Sequence, residues 1–243
     1  MIQLLKSEMI KFKGSYQLYI ILILSTIQLL TIPIYILSVN NTIVLENIIF
    51  LPMLGYCMIT TIITLLVSEQ EINANNYQNI KGSRNTASIW GAKIFVLDLL
   101  LSLLTIPLWV VVGIELEHFS YYFYVGIVSW SLLILLNHFH MLLTLFIAKG
   151  GNLLIAVVES LFILFATNKV FLNIFWIPVI LPVNIILENN FRSTTNLLAL
   201  TFYVVLLFVA NLVIVTRKGA QSYLKNHSHS SYGWLICHTT GMS

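Results

Sequence analysis

Residues 93–114 read KIFVLDLLLSLLTIPLWVVVGI, and after the opening lysine Asp98 is the one ionisable side chain in the run. A hydrocarbon core about 30 Å thick is crossed by about 20 mostly apolar residues in a helix. This stretch therefore reads as a membrane span, and five others read the same way: about 17–39, 48–67, 122–147, 153–168 and 196–216. The composition agrees. Of 243 residues, 58% are hydrophobic and 9% charged, with a mean hydropathy of +0.92. An ordinary soluble domain is about a quarter charged, so a water-soluble fold is excluded. The expectation is an all-α, polytopic membrane protein with six transmembrane helices, residues 1–243 forming a single transmembrane domain.

Charge sets the expected orientation, because positive residues gather on the cytoplasmic side. Ten of the twelve Lys and Arg fall on one side of a six-span arrangement: Lys6, Lys11, Lys13, Lys81, Arg84, Lys93, Lys149, Arg217, Lys218 and Lys225. Lys169 and Arg192 fall on the other, with Glu46, Glu115, Glu117 and Glu188. Both termini, including a tail at 217–243, are thus expected in the cytoplasm. The first apolar stretch is longer than a signal-peptide core and has no small-residue cleavage motif, so it reads as a retained span.

Two segments depart from simple spans. Within residues 1–14, Ile2, Leu5, Met9 and Phe12 recur at spacings of three and four, with Lys6, Lys11 and Lys13 largely off that stripe. Such a basic amphipathic helix lies in the membrane interface. Residues 172–187 are apolar but interrupted by Pro178 and Pro182. Broken backbone at membrane depth has to be buried in protein or line a cavity. The expectation is a re-entrant or interfacial hairpin.

One internal connection, 68–92, is long and polar, and a connector of that size among short turns usually serves a function. Tyr77 and Ile80, three apart, share one face if the segment is helical. A short helix offering an aromatic and an aliphatic side chain suits a partner's groove. Trp90 suits the interface where the third span begins.

The chain resembles the permease subunits of ABC-2 type ABC transporters. The resemblance rests on the N-terminal helix, six spans with both ends inside, and a loop with an acidic start at Glu69 or Glu71. It continues through the run Asn75-Asn76-Tyr77-Gln78-Asn79-Ile80, basic Arg84 and Lys93 at the opening of the third span. The opening Leu5-Lys6-Ser7-Glu8-Met9-Ile10-Lys11 and the compact size look most like permeases that give Gram-positive bacteria self-immunity to lantibiotics. Where members of that family carry Gly-Ser or Gly-Thr before the aromatic, this chain has Asn75-Asn76. The resemblance implies an elbow helix at 1–14, a re-entrant extracellular hairpin at 172–187, and a bacterial cell membrane location. It further implies coupling to a cytoplasmic ATPase through Glu71, Tyr77, Ile80 and Arg84. ATP and magnesium would sit on that separate subunit, with no cofactor on this chain, which has no G-x-x-x-x-G-K-[ST] phosphate loop. A second permease copy or sister chain, membrane lipid and an amphiphilic antimicrobial peptide complete the implied partners.

Ionisable groups inside spans are costly and draw attention as functional candidates. Asp98, Glu159, Asn137 and His138 form a possible polar substrate path, against which stands a purely structural role in helix packing. Both acids are expected toward the cytoplasmic ends of their spans. His138 and His140, two apart, point to opposite sides of a helix and do not suit a shared metal. Tyr121-Tyr122-Phe123-Tyr124 fits an aromatic belt. Other classes find little purchase. A net charge of +3 is too small and scattered for nucleic-acid binding. Cys57 and Cys237 indicate neither a disulfide framework nor zinc. An intramembrane hydrolase would want G-x-S-x-G or H-E-x-x-H, both absent. A membrane scaffold without transport activity carries no signature to look for and stands as the alternative.

Overall fold

The computed structural model describes residues 2–38, 48–73, 85–169, 171–172, 174–188 and 194–217. Among them the chain is helical throughout, with no strand. In chain order the helices are α1 (Ile2–Phe12), α2 (Tyr16–Ser38), α3 (Phe50–Asn73), α4 (Thr86–Glu115), α5 (Phe119–Leu143) and α6 (Lys149–Thr167). A 3-10 turn, Pro178–Ile180, leads into α7 (Leu181–Leu187), and α8 (Thr194–Arg217) follows. Six of these, α2 to α6 and α8, are long and apolar enough to cross a membrane. Each covers its expected stretch closely, except that α3 runs six residues past it and α4 starts seven residues before it.

The polar connection is shorter than its composition suggests. Residues 68–73 continue α3, and 86–92 form the first turns of α4. A helix leaving the bilayer takes on polar residues just as a loop does, so composition alone places the boundary too early. Residues 74–84, and with them Tyr77, Ile80 and Arg84, lie outside the described residues.

The core is a shared apolar interior rather than a set of separate rods. Trp90, Trp109, Tyr56, Met53, Leu97, Leu101 and Leu132 are fully enclosed. Lipid-facing side chains such as Leu30 on α2, Leu154 on α6 and Phe202 on α8 remain exposed. The tightest pair is α4 with α5, which meet across a short turn. Two glycines set their approach: a Cβ on Gly113 would stand 3.0 Å from the Phe119 Cα, and one on Gly126 would stand 3.2 Å from the Trp109 Cβ. Without a hydrophobic force between helices in lipid, such small residues are what allow backbones to close together. Trp109 then stacks on Tyr122, ring centroids 6.1 Å apart.

Segment 174–187 is packed into the protein. Pro178 starts the 3-10 turn and Pro182 stands in the first turn of α7, positions where a missing N–H costs no hydrogen bond. Ile180, Leu181, Val183 and Ile185 are buried against α5 and α6, while Trp176 is 73% exposed. In α1 the buried side is Glu8 and Phe12, and Ile2 and Met9 face outward.

Candidate functional site

Two polar assemblies stand out in this apolar chain. The first gathers where α3 ends and α4 begins. Lys93, the eighth residue of α4, is 2% exposed and forms an ion pair with Glu71 near the end of α3. Its ammonium also lies 3.3 Å from Glu8 Oε2 on α1. Glu8 in turn accepts a hydrogen bond of 2.5 Å from Lys11. Two carboxylates therefore face two ammonium groups, and the cluster is neutral. Gln17 of α2 donates to Gln70 of α3 at 3.2 Å beside it, and exposed Lys149 at the start of α6 pairs with Glu69. The surface pair is worth about 0–1 kcal/mol. Breaking a buried pair by removing one member costs about 3–5 kcal/mol, so Lys93 dominates this face.

Glu71 is thus engaged inside the chain, and its carboxylate is spent on Lys93. Trp90 is 1% exposed, packed within the bundle, and its Nε1 donates to Asn211 Oδ1 of α8 at 3.4 Å.

The second assembly lies within the bundle, on both sides of α5. Asp98 is the thirteenth of the 30 residues of α4 and Glu159 the eleventh of the 19 of α6. Their ordinal positions are high because α4 and α6 begin earlier than the apolar stretches do. Asp98 accepts from Asn137 Nδ2 at 2.7 Å and meets His138 Nε2 at 3.0 Å. Its backbone carbonyl accepts from Trp130 Nε1 at 2.8 Å. His138 Nδ1 lies 3.3 Å from the Val204 carbonyl of α8. Asn211 of α8 adds a bond from its Nδ2 to the His138 carbonyl at 2.8 Å.

On the opposite face, His140 Nε2 lies 2.8 Å from Glu159 Oε2, and His140 Nδ1 lies 2.6 Å from Asn152 Oδ1. Asn152 Nδ2 points at the His140 carbonyl at 3.5 Å. That second contact fixes which end of the Asn152 amide faces the imidazole, since an oxygen there would repel the carbonyl.

The four residues named as a polar path, Asp98, Asn137, His138 and Glu159, are therefore divided. The first three form one network linking α4, α5 and α8. Glu159 belongs to another, with His140 and Asn152, linking α5 and α6. The two histidines diverge, as their spacing requires. Among the described residues no group of three His, Cys, Asp or Glu side chains stands together to hold a metal. Sequence reasoning passed over Glu8, Asn152 and Asn211. All three are polar side chains in or beside apolar helices and are almost wholly buried. A census of every Asn within a span, rather than of ionisable residues alone, would have flagged Asn211; Asn152 falls one residue before the apolar stretch at 153–168.

No protein-family model matches the chain, and neither a curated protein nor a solved structure is similar to it.

Proposed function

We propose that this chain is the permease subunit of an ABC-type exporter, which a separate cytoplasmic ATPase drives to expel an amphiphilic antimicrobial peptide such as a lantibiotic. In this reading it is a multi-pass protein of a bacterial cell membrane with both termini in the cytoplasm. α1 serves as an interfacial elbow, and 172–187 forms a re-entrant hairpin on the outer side. A second copy or a sister permease supplies the other half of the path.

The observation that carries the proposal is the buried Glu8–Lys93–Glu71 cluster. It clamps both helices that flank the 74–85 connection to each other and to α1. A motor domain gripping Tyr77 and Ile80, with Arg84 at the rim, would press on α3 and α4 as one body. α1 would follow through Glu8, and α6 through Glu69–Lys149. Rigid-body rocking of this kind is a standard response of packed helices to an applied bias. The chain brings helices and a lever; nucleotide chemistry belongs to the partner.

The test is tolerance to a peptide antibiotic in cells expressing the chain together with an ABC-type ATPase that co-purifies with it. Tolerance should rise, and a hydrolysis-dead ATPase should remove the gain. Equal tolerance with active and inactive ATPase would leave the scaffold reading.

A further inference from the structure

A cavity of about 480 Å³ is lined by α5, α6, the 3-10 turn and α8. Its walls are apolar: Leu135, Phe139, Val158, Phe162 and Leu206 are representative, and Glu159 is the one charged residue in the lining. Val158 and Leu206 are each 49% exposed, so the cavity communicates with the lipid-facing surface. The volume falls in the range of about 300–1,000 Å³ typical of small-molecule sites, where apolar walls and a few polar groups are the rule. It is far too small for a whole folded peptide.

Glu159 is 8% exposed. Its Oε2 is held by His140, while no hydrogen bond reaches its Oε1 among the described residues. A carboxylate half unsatisfied in an apolar wall is an expensive arrangement. The imidazole between Glu159 and Asn152 explains how it is tolerated.

We propose that this cavity binds a lipophilic monocation that enters from the lipid phase, with Glu159 as its counter-ion. Charge complementarity selects a cation over a neutral or anionic molecule of the same shape. Other groups facing the pair are few. The Cys57 thiol of α3 lies near Glu159, the Tyr203 phenol of α8 shares the cavity, and His138 turns away to Asp98. The 3-10 turn contributes Pro178 and Val179, and Ile177 precedes it. The proposal goes beyond transport of a peptide and needs no ATPase.

The experiment is equilibrium dialysis of labelled tetraphenylphosphonium against the full chain in lipid nanodiscs, with empty nanodiscs as the blank. Saturable binding is expected. Triphenylphosphine oxide, uncharged and similar in shape, should compete at least tenfold more weakly. Glu159→Gln should lower affinity at least tenfold. Val158→Trp, which obstructs the cavity and leaves the pair intact, should abolish binding and decides the matter if the first variant fails to fold. Equal competition by the neutral compound, or unaltered binding by either variant, would overturn the assignment.

Discussion

Ser25 on α2 supplies the hydrogen bond that Pro107 on α4 cannot make. Proline has no N–H, so Pro107 leaves the carbonyl four residues earlier, that of Leu103, without its helical donor. Ser25 Oγ donates to that carbonyl at 2.6 Å, across two helices and 78 positions. Tyr56 Oη of α3 donates to the neighbouring Leu104 carbonyl at 3.4 Å. A helix break inside lipid is tolerable when a neighbouring helix satisfies the freed group, and here Ser25 does so.

This pairing is testable by a double-mutant cycle. Ser25→Ala should lower stability by about 1 kcal/mol, in line with interhelical hydrogen bonds in membranes. In a Pro107→Ala background, where residue 107 again donates to Leu103, the same change should cost close to nothing. Reversible unfolding in mixed micelles reads both values.

Lys93→Met should destabilise by about 3–5 kcal/mol, because Glu8 and Glu71 would then face one another without their buried cation. Adding Glu8→Gln and Glu71→Gln should return most of that loss. A cost below about 1 kcal/mol, the level of a surface pair, would show that the cluster does not clamp α1, α3 and α4. The same unfolding assay measures it.

The two histidine networks should behave independently. Leucine at His138 and at His140 should have additive effects to within about 0.5 kcal/mol, as for sites sharing no partner. Asp98→Leu and His138→Leu, which sit in one network, should instead be coupled by about 0.5–1.7 kcal/mol. Coupling between the two histidines would mean that α5 transmits strain between its faces.

Gly126→Val places methyl groups where the Trp109 side chain stands. Overpacking of this kind costs about 1–3 kcal/mol, and Trp109→Ala should relieve part of it. Gly113→Ala should be harder to rescue, because its obstacle is the Phe119 backbone.

The six spans were legible because each is a long apolar run with few charges, and in lipid that alone requires a helix. Which side chains meet across helices was not legible. Ser25 and Leu103, or Glu8 and Lys93, belong to helices whose neighbours no local pattern specifies. The extent of the polar connection was misjudged for a different reason. Glu71 and Lys93 look solvated in sequence, yet each shields the other's charge and lets α3 and α4 continue past the apolar stretch. Asp98 and Glu159 were visible as anomalies, but their separation onto opposite faces of α5 depended on Asn137, His138, His140 and Asn152 together. The residues assigned to motor coupling at 77–84 lie outside the described residues, so their role stands on sequence.

The most direct measurement of the central claim is the rate of ATP hydrolysis by an ABC-type ATPase that co-purifies with this chain, added back to liposomes containing it. The account predicts a rate above that with empty liposomes, lost when Tyr77→Glu and Ile80→Glu are introduced together while the bundle remains folded. An identical rate with the chain, with the double variant and with empty liposomes would contradict it.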